Sequence, residues 1–144
     1  MSTGEDISSD SVGVRLYDPT EKADKPHKTD DGAPYPENWI ISLTWDDIHT
    51  GDCTMLAPQV SIYADATIYF ASEVATSSSG DVWIIQWIQF YDAQGIPVGE
   101  PIGKHDGPRM DDNQDYGFSF WDVIPGVTPT SVTQIAKATI QNHC

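Results

Sequence analysis

The sequence predicts an all-β protein: a small antiparallel β-barrel or sandwich of about seven to eight strands with an extended N-terminal arm. Three observations point there. From Trp39 onward, short runs rich in Val, Ile, Thr and aromatic residues recur at roughly ten-residue spacing, divided by Gly, Pro, Asp and Ser. No strand–helix–strand alternation accompanies them. Residues 1–37 differ in kind, being rich in Ser, Asp, Lys and Pro. The chain therefore divides into a polar N-terminal arm or lid over residues 1–37 and a β domain over residues 38–144.

Taken in order, the arm holds one apolar island, Val12 to Tyr17. Its Val12, Val14 and Leu16 can dock by alternation, either as an edge strand or across the mouth of a pocket. Pro19, Pro26, Pro34 and Pro36 then mark a surface linker. Trp39 to Trp45 is a strand, and Asp46 to Thr54 a polar turn region. Gln59 to Tyr63 and Ala66 to Val74 form a hairpin, although Ala64-Asp65 is not a favoured turn pair. Asp81 to Tyr91 is the strongest strand. Ile96 to Ile102 is an edge strand because Pro97 and Pro101 interrupt it. Gly103 to Asp115 reads as a polar loop, Tyr116 to Val123 as a strand, and Ser131 to Cys144 as a last strand in which Val, Thr and Ile outweigh a partial helical spacing.

The 144 residues suffice for one core, and five Trp and six Tyr supply much of it. The formal net charge is −15 with only seven Lys plus Arg, which argues against nucleic acid and anionic membranes as partners. No stretch approaches the ~20 apolar residues of a membrane span. The polar, acidic start at Met1 to Asp6 lacks the features of a signal peptide and leads to a cytoplasmic expectation.

Cys53 and Cys144 are the two cysteines. A cysteine at the frayed end of a strand-like run is expected to be tied down, and its partner can only be Cys53. Such a bridge prefers an oxidising compartment, so either the thiols are reduced in a cytoplasmic protein or a leader has been removed from a secreted one.

Chemistry-bearing motifs are sparse. His27, His49, His105 and His143 lie in polar segments without metal-ligand spacing. Asp111 to Asp115 starts like a calcium loop, but the glycine comes one residue late at Gly117. No metal and no cofactor is expected. No phosphate-binding, dinucleotide or nucleophile-elbow motif is present. The informative segment is Asp81–Tyr91. With strict alternation, Trp83, Ile85, Trp87, Gln89 and Tyr91 share one face, and Val82, Ile84, Gln86, Ile88 and Phe90 the other. A strand with one solvated face should not be apolar on both. Either both faces are covered, or the aromatic one lines an interior cavity, with Tyr63, Tyr69 and Trp121 adding to the wall.

Some motifs are specific. Gly51-Asp52-Cys53-Thr54-Met55, Tyr63 to Phe70, Thr76 to Trp83 and the terminal His143-Cys144 resemble a family of small actinobacterial β-rich proteins of unknown function, over roughly Thr44 to Cys144. The resemblance implies a paired-cysteine pattern and brings no activity. It departs at Asp65-Ala66-Thr67, where that family tends to carry Asp-Gly-Thr. By architecture alone, the chain is similar to cofactor-free β-barrel cyclases of polyketide pathways.

Two functions follow as expectations. In the first, an apolar small molecule binds in an aromatic-lined pocket and undergoes a pericyclic or conjugate ring closure. Trp83, Ile85 and Trp87 form the wall, and Gln89 and Tyr91 serve as catalytic hydrogen-bond donors. In the second, the chain is a non-enzymatic acidic module of inhibitor or immunity type that meets a basic partner through residues 46–52 and 111–115. A homodimer is compatible with either.

Overall fold

The structure, a computed structural model, describes residues 6–17 and 39–144. It contains eleven strands: β1 (Asp6–Asp10), β2 (Gly13–Leu16), β3 (Ile41–Thr44), β4 (Ile48–Thr50), β5 (Cys53–Ile62), β6 (Thr67–Thr76), β7 (Asp81–Tyr91), β8 (Pro97–Ile102), β9 (His105–Met110), β10 (Asp115–Val123) and β11 (Lys137–His143). One single-turn helix, α1 (Pro129–Val132), precedes the last strand. A five-stranded antiparallel sheet runs β1-β11-β7-β8, with β9 also on β7. A six-stranded one runs β10-β6-β5-β3-β2, with β4 also on β5. The two sheets face each other as a sandwich rather than closing into a barrel.

One long strand of each sheet, β7 and β5, carries a one-residue bulge, and the architecture follows from it. In β7, Trp87 pairs with Gln141 while Ile85 pairs with the next residue, Asn142, so Gln86 is the extra residue. In β5, Leu56 pairs with Glu73 and Gln59 with Ala71, which leaves one residue too many between them. Ala57 sits there with φ 46°, and its N–H donates to Asp47 Oδ1 at 2.9 Å. At each bulge the outer neighbour breaks in two. β4 covers the first part of β5 and β3 the second; β9 covers the first part of β7 and β8 the second.

A bulge also reverses which residues face inward, because side chains alternate strictly on either side of it. The core side of β5 is Cys53 and Met55, then Val60 and Ile62. That of β7 is Trp83 and Ile85, then Ile88 and Phe90; all eight are buried. The expectation of one continuous aromatic face on β7 is thereby corrected. Trp87, Gln89 and Tyr91 point away from the core with Val82 and Ile84, and all five are half-buried. The strand looks apolar on both faces because the core stripe changes faces midway.

The sandwich edges are joined by crossing chain. β1 pairs with β11 in one sheet and β2 with β3 in the other, so residues 6–16 cross between the sheets. The Trp45 indole N–H adds a bond to the Ser9 carbonyl at 3.0 Å. The apolar island is therefore an edge strand. Its Val12, Val14 and Leu16 side chains stay exposed. The proline-rich remainder of the arm lies outside the described residues. At the other edge, β9 and β10 form a hairpin whose strands belong to different sheets. β9 was expected as loop; it pairs as a strand although only Met110 of it is buried. β4 was likewise read as part of a turn.

The β5–β6 turn explains the unfavoured Ala64-Asp65 pair. Ala66 N–H bonds the Tyr63 carbonyl, and Tyr63 N–H the Thr67 carbonyl, with Asp65 Oδ1 accepting from Thr67 N–H at 3.0 Å. Ala66 takes the left-handed position, φ 70°, that glycine usually fills. Its methyl is buried in the core, which offsets part of the ~1–2 kcal/mol such a conformation costs an L-residue.

Cys53 and Cys144 are joined as a disulfide, with Cα atoms 6.2 Å apart and a sequence separation of 91. It ties the first residue of β5 to the residue after β11. The Cys53→Ser, Cys144→Ser double variant is expected to lose up to about 4–5 kcal/mol, the entropy of a loop this long. Urea unfolding of the oxidised wild type, the reduced wild type and the variant checks this. Gly103 sits opposite the β7 bulge at φ 149°, where an added Cβ would lie 2.3 Å from the Gln86 carbonyl oxygen. Gly103→Ala is expected to fall at the top of the ~0.5–3 kcal/mol range of ordinary substitutions or above it, again read by urea unfolding.

Candidate binding surface

Of the residues expected to line an interior cavity, Trp83 and Gln89 spend their polar atoms on the protein itself. Trp83 is fully buried, and its indole N–H donates to Asn142 Oδ1 at 2.9 Å. Ile85 is buried in the same core. Gln89 Nε2 donates to the carbonyls of Phe90 at 2.9 Å and Gly99 at 3.2 Å, so the amide serves the β7–β8 pairing. Gln89 and Tyr91 share the outer face of the five-stranded sheet with Trp87, on the opposite side of that sheet from Trp83 and Ile85.

The other three expected lining residues do come together, on the outer face of the six-stranded sheet. Tyr69 and Trp121 are directly paired neighbours on β6 and β10; their ring centroids are 4.7 Å apart, and Tyr63 lies 5.6 Å from Trp121. Tyr69 is buried, whereas Trp121 leaves 52% of its surface open. Burial, then the neighbouring Tyr69 phenol, pushes the Tyr63 phenol up to about 12, so it remains a neutral hydrogen-bond donor near neutral pH. Ser61 lies directly opposite Tyr69. Its hydroxyl is buried without a hydrogen-bond partner among the described residues. Asp65 stands exposed at the adjoining hairpin tip, and the Thr67 backbone N–H holds its carboxyl below the ordinary value. Glu73 continues the outward row of β6 beyond Tyr69 and Ala71. The result is an aromatic platform with a carboxylate at its margin.

The two acidic segments expected to meet a partner converge at the opposite end of the sandwich. The loop Ser77–Gly80 lies between them, with Ser78 Oγ donating to Asp52 Oδ2 at 2.7 Å and Ser79 Oγ to Asp112 Oδ1 at 2.9 Å. Asp111, Asp112 and Asp115 are exposed around a turn that Asn113 makes at φ 62°. This is a hairpin turn between β9 and β10.

Two clusters had no signal in the sequence. His105 Nε2 and Asp122 Oδ2 are 2.6 Å apart, joining β9 of one sheet to β10 of the other, with the His105 ring stacked on Phe120 at 3.6 Å. Asp81, the first residue of β7, joins the disulfide: one ligand atom each of Cys53, Cys144 and Asp81 fall within 4.8 Å of one another. His143, next to Cys144 in sequence, faces away and meets Asp6 at 2.6 Å. Long-range strand pairing creates both clusters, so no local spacing announces them.

Comparison with known proteins adds a family and no activity. No curated protein matches the chain. A solved structure, the enzymatically active domain of tailspike protein 4 from bacteriophage CBA120, aligns at 15% identity with a TM-score of 0.25. The alignment covers 74% of this chain and 17% of that one. The chain thus spans under a fifth of that protein's length. A family of unknown function, DUF6294, matches residues 59–144, a span that begins within β5 and includes Cys144 but not Cys53. With more than half of its length matched, the chain belongs to the DUF6294 family.

Proposed function

We propose that the protein is a non-enzymatic binding module that receives a basic partner, one presenting arginine or lysine, on the Tyr63–Tyr69–Trp121 platform. The observation that carries this reading is the half-open Trp121 held against two tyrosines on an outer sheet face. A guanidinium or ammonium group over an indole face gains about 0.5–1 kcal/mol when exposed and ~2 kcal/mol or more when desolvated. Asp65 and Glu73 can pair with neighbouring cations of the partner. The net charge of −15 raises the rate of encounter with a basic surface.

A second reading has its own support. The Ser61 hydroxyl, buried without a hydrogen-bond partner among the described residues, is a donor an apolar, carbonyl-bearing small molecule could use. A ring-closing role in natural-product biosynthesis, in an actinobacterial setting, would then operate on this platform rather than in the core.

Tryptophan fluorescence titration with arginine-rich and uncharged control peptides tests the first reading. The arginine peptide is expected to bind, more weakly as salt rises, and Trp121→Ala to weaken it about 3- to 30-fold with little loss of stability. Equal binding to Trp121→Ala, or none at low salt, would sink it. Trp83→Ala serves as the contrast: it should cost about 3–5 kcal/mol of stability and leave peptide affinity of the folded fraction unchanged.

The Tyr63 shift makes a separate pH prediction. One of the six tyrosines should ionise only near pH 12 in an absorbance titration, and Tyr63→Phe should remove that step. An unfolded tyrosine ionises near pH 10. The linked stability is therefore complete below about pH 10 and is lost as pH rises through the folded value.

A further inference from the structure

We propose that Cys53, Cys144 and Asp81 form a redox-gated site for a thiophilic divalent metal ion such as Zn²⁺, closed while the two sulfurs are joined and open once they are reduced. Three strands deliver these groups to one place: β5 brings Cys53, the end of β11 brings Cys144, and β7 begins with Asp81. Both sulfurs are buried. Cys53 Sγ lies 3.7 Å from Asp81 Oδ2, close to the ~3.5 Å that a sulfur and an oxygen keep on one tetrahedral zinc. The two sulfurs need only part to about 3.8 Å, the spacing set by Zn–S bonds of ~2.3 Å.

The surroundings fit a ligand set. Thr76 Oγ1 donates to Asp81 Oδ2 at 2.6 Å and accepts from Ser78 N–H at 3.0 Å. The carboxylate is thus oriented by an outer hydrogen bond, as ligating carboxylates usually are. Asn142 stands two residues before Cys144 on the same inward side of β11. Its Nδ2 is fully buried with no hydrogen-bond partner among the described residues, an unmet donor in the strand that leads to Cys144. Two thiolates beside a carboxylate would repel one another without a cation. A divalent ion removes that repulsion. Two soft thiolates with one carboxylate select zinc-like ions over calcium or magnesium, and three protein ligands leave one position for water.

The chemistry balances. A dithiol reductant transfers two electrons and two protons to the Cys53–Cys144 bond and becomes a disulfide itself, leaving two cysteine thiols. Metal binding then expels the two thiol protons to solvent. Reoxidation commits both sulfurs to each other again and releases the ion.

The test titrates Zn²⁺ alone, by calorimetry, into the full chain kept reduced by a phosphine and into the oxidised chain, with Co²⁺ as a spectroscopic substitute. One equivalent is expected in the reduced form only, with sulfur-to-cobalt charge-transfer absorption. Asp81→Asn, which keeps the Thr76 contact, should weaken zinc at least tenfold. Should that variant not fold, Cys144→Ser provides the same loss of one ligand. If the reduced chain unfolds without metal, zinc should restore its β circular dichroism. Failure to bind stoichiometrically, zinc bound to a chain that stays unfolded, or an affinity indifferent to Asp81→Asn overturns the proposal.

Discussion

The paired bulges in β5 and β7 are the constraint on which the rest of this structure depends. Each of these long strands runs past two partners on one side. A single extra residue increases the local twist and ends one ladder register so that another can begin. It also moves the apolar stripe from one face of the strand to the other. Both strands make the change at comparable points. Cys53 and Met55 give way to Val60 and Ile62, and Trp83 and Ile85 to Ile88 and Phe90. The two core faces therefore turn together and remain in contact. At Gly103 the neighbouring backbone comes so close to the β7 bulge that a Cβ has no room.

This same feature explains what the sequence reveals and what it hides. The all-β class, the bounds of β7 and the hairpin of β5 and β6 are legible because period-2 patterning and turn residues are local signals. The Cys53–Cys144 pairing is legible because only two cysteines exist. A bulge, by contrast, has no reliable residue signature. Strict alternation carried past Gln86 places Trp87, Gln89 and Tyr91 beside Trp83, although they lie on opposite sides of the sheet. β9 is hidden for a different reason. His105 to Met110 buries little, and it is a strand because β7 offers it a free ladder, not because its residues demand one. Tyr63, Tyr69 and Trp121, expected at one site from their chemistry, do meet, but on a solvent-facing surface rather than in an interior.

The core shows how buried polar side chains are satisfied. Buried donors without partners each cost about 1–3 kcal/mol, so an interior lined with indoles and amides needs an occupant or internal acceptors. Here the acceptors are internal. Asn142 receives the buried Trp83 N–H, and on the outer face backbone carbonyls receive the Gln89 amide. The exceptions are informative. Ser61 Oγ and Asn142 Nδ2 are the buried side-chain atoms left without partners among the described residues. One lies opposite Tyr69 on the platform, and the other lies in the strand that ends at the disulfide. Incomplete hydrogen bonding thus coincides with the two places where the surroundings already suggest a ligand.

Those two places sit at opposite ends of β6. Tyr69 is near its start, and Thr76, which orients Asp81, is its last residue. Seven residues of extended chain separate them by about 23 Å at ~3.3 Å per residue. At that distance, perturbations at the two ends are expected to add rather than couple, unless a shared element shifts as a whole. β5 is the element able to do so, because Cys53 begins it and Tyr63 follows its last residue. The β5 bulge lies between the two, and Ala57 there is held by a side-chain carboxylate as well as by the ladder. A change at the disulfide would have to pass this irregular point to reach the platform. The aromatic face and the sulfur-containing end are therefore two separate regions, each built on one half of a bulged strand.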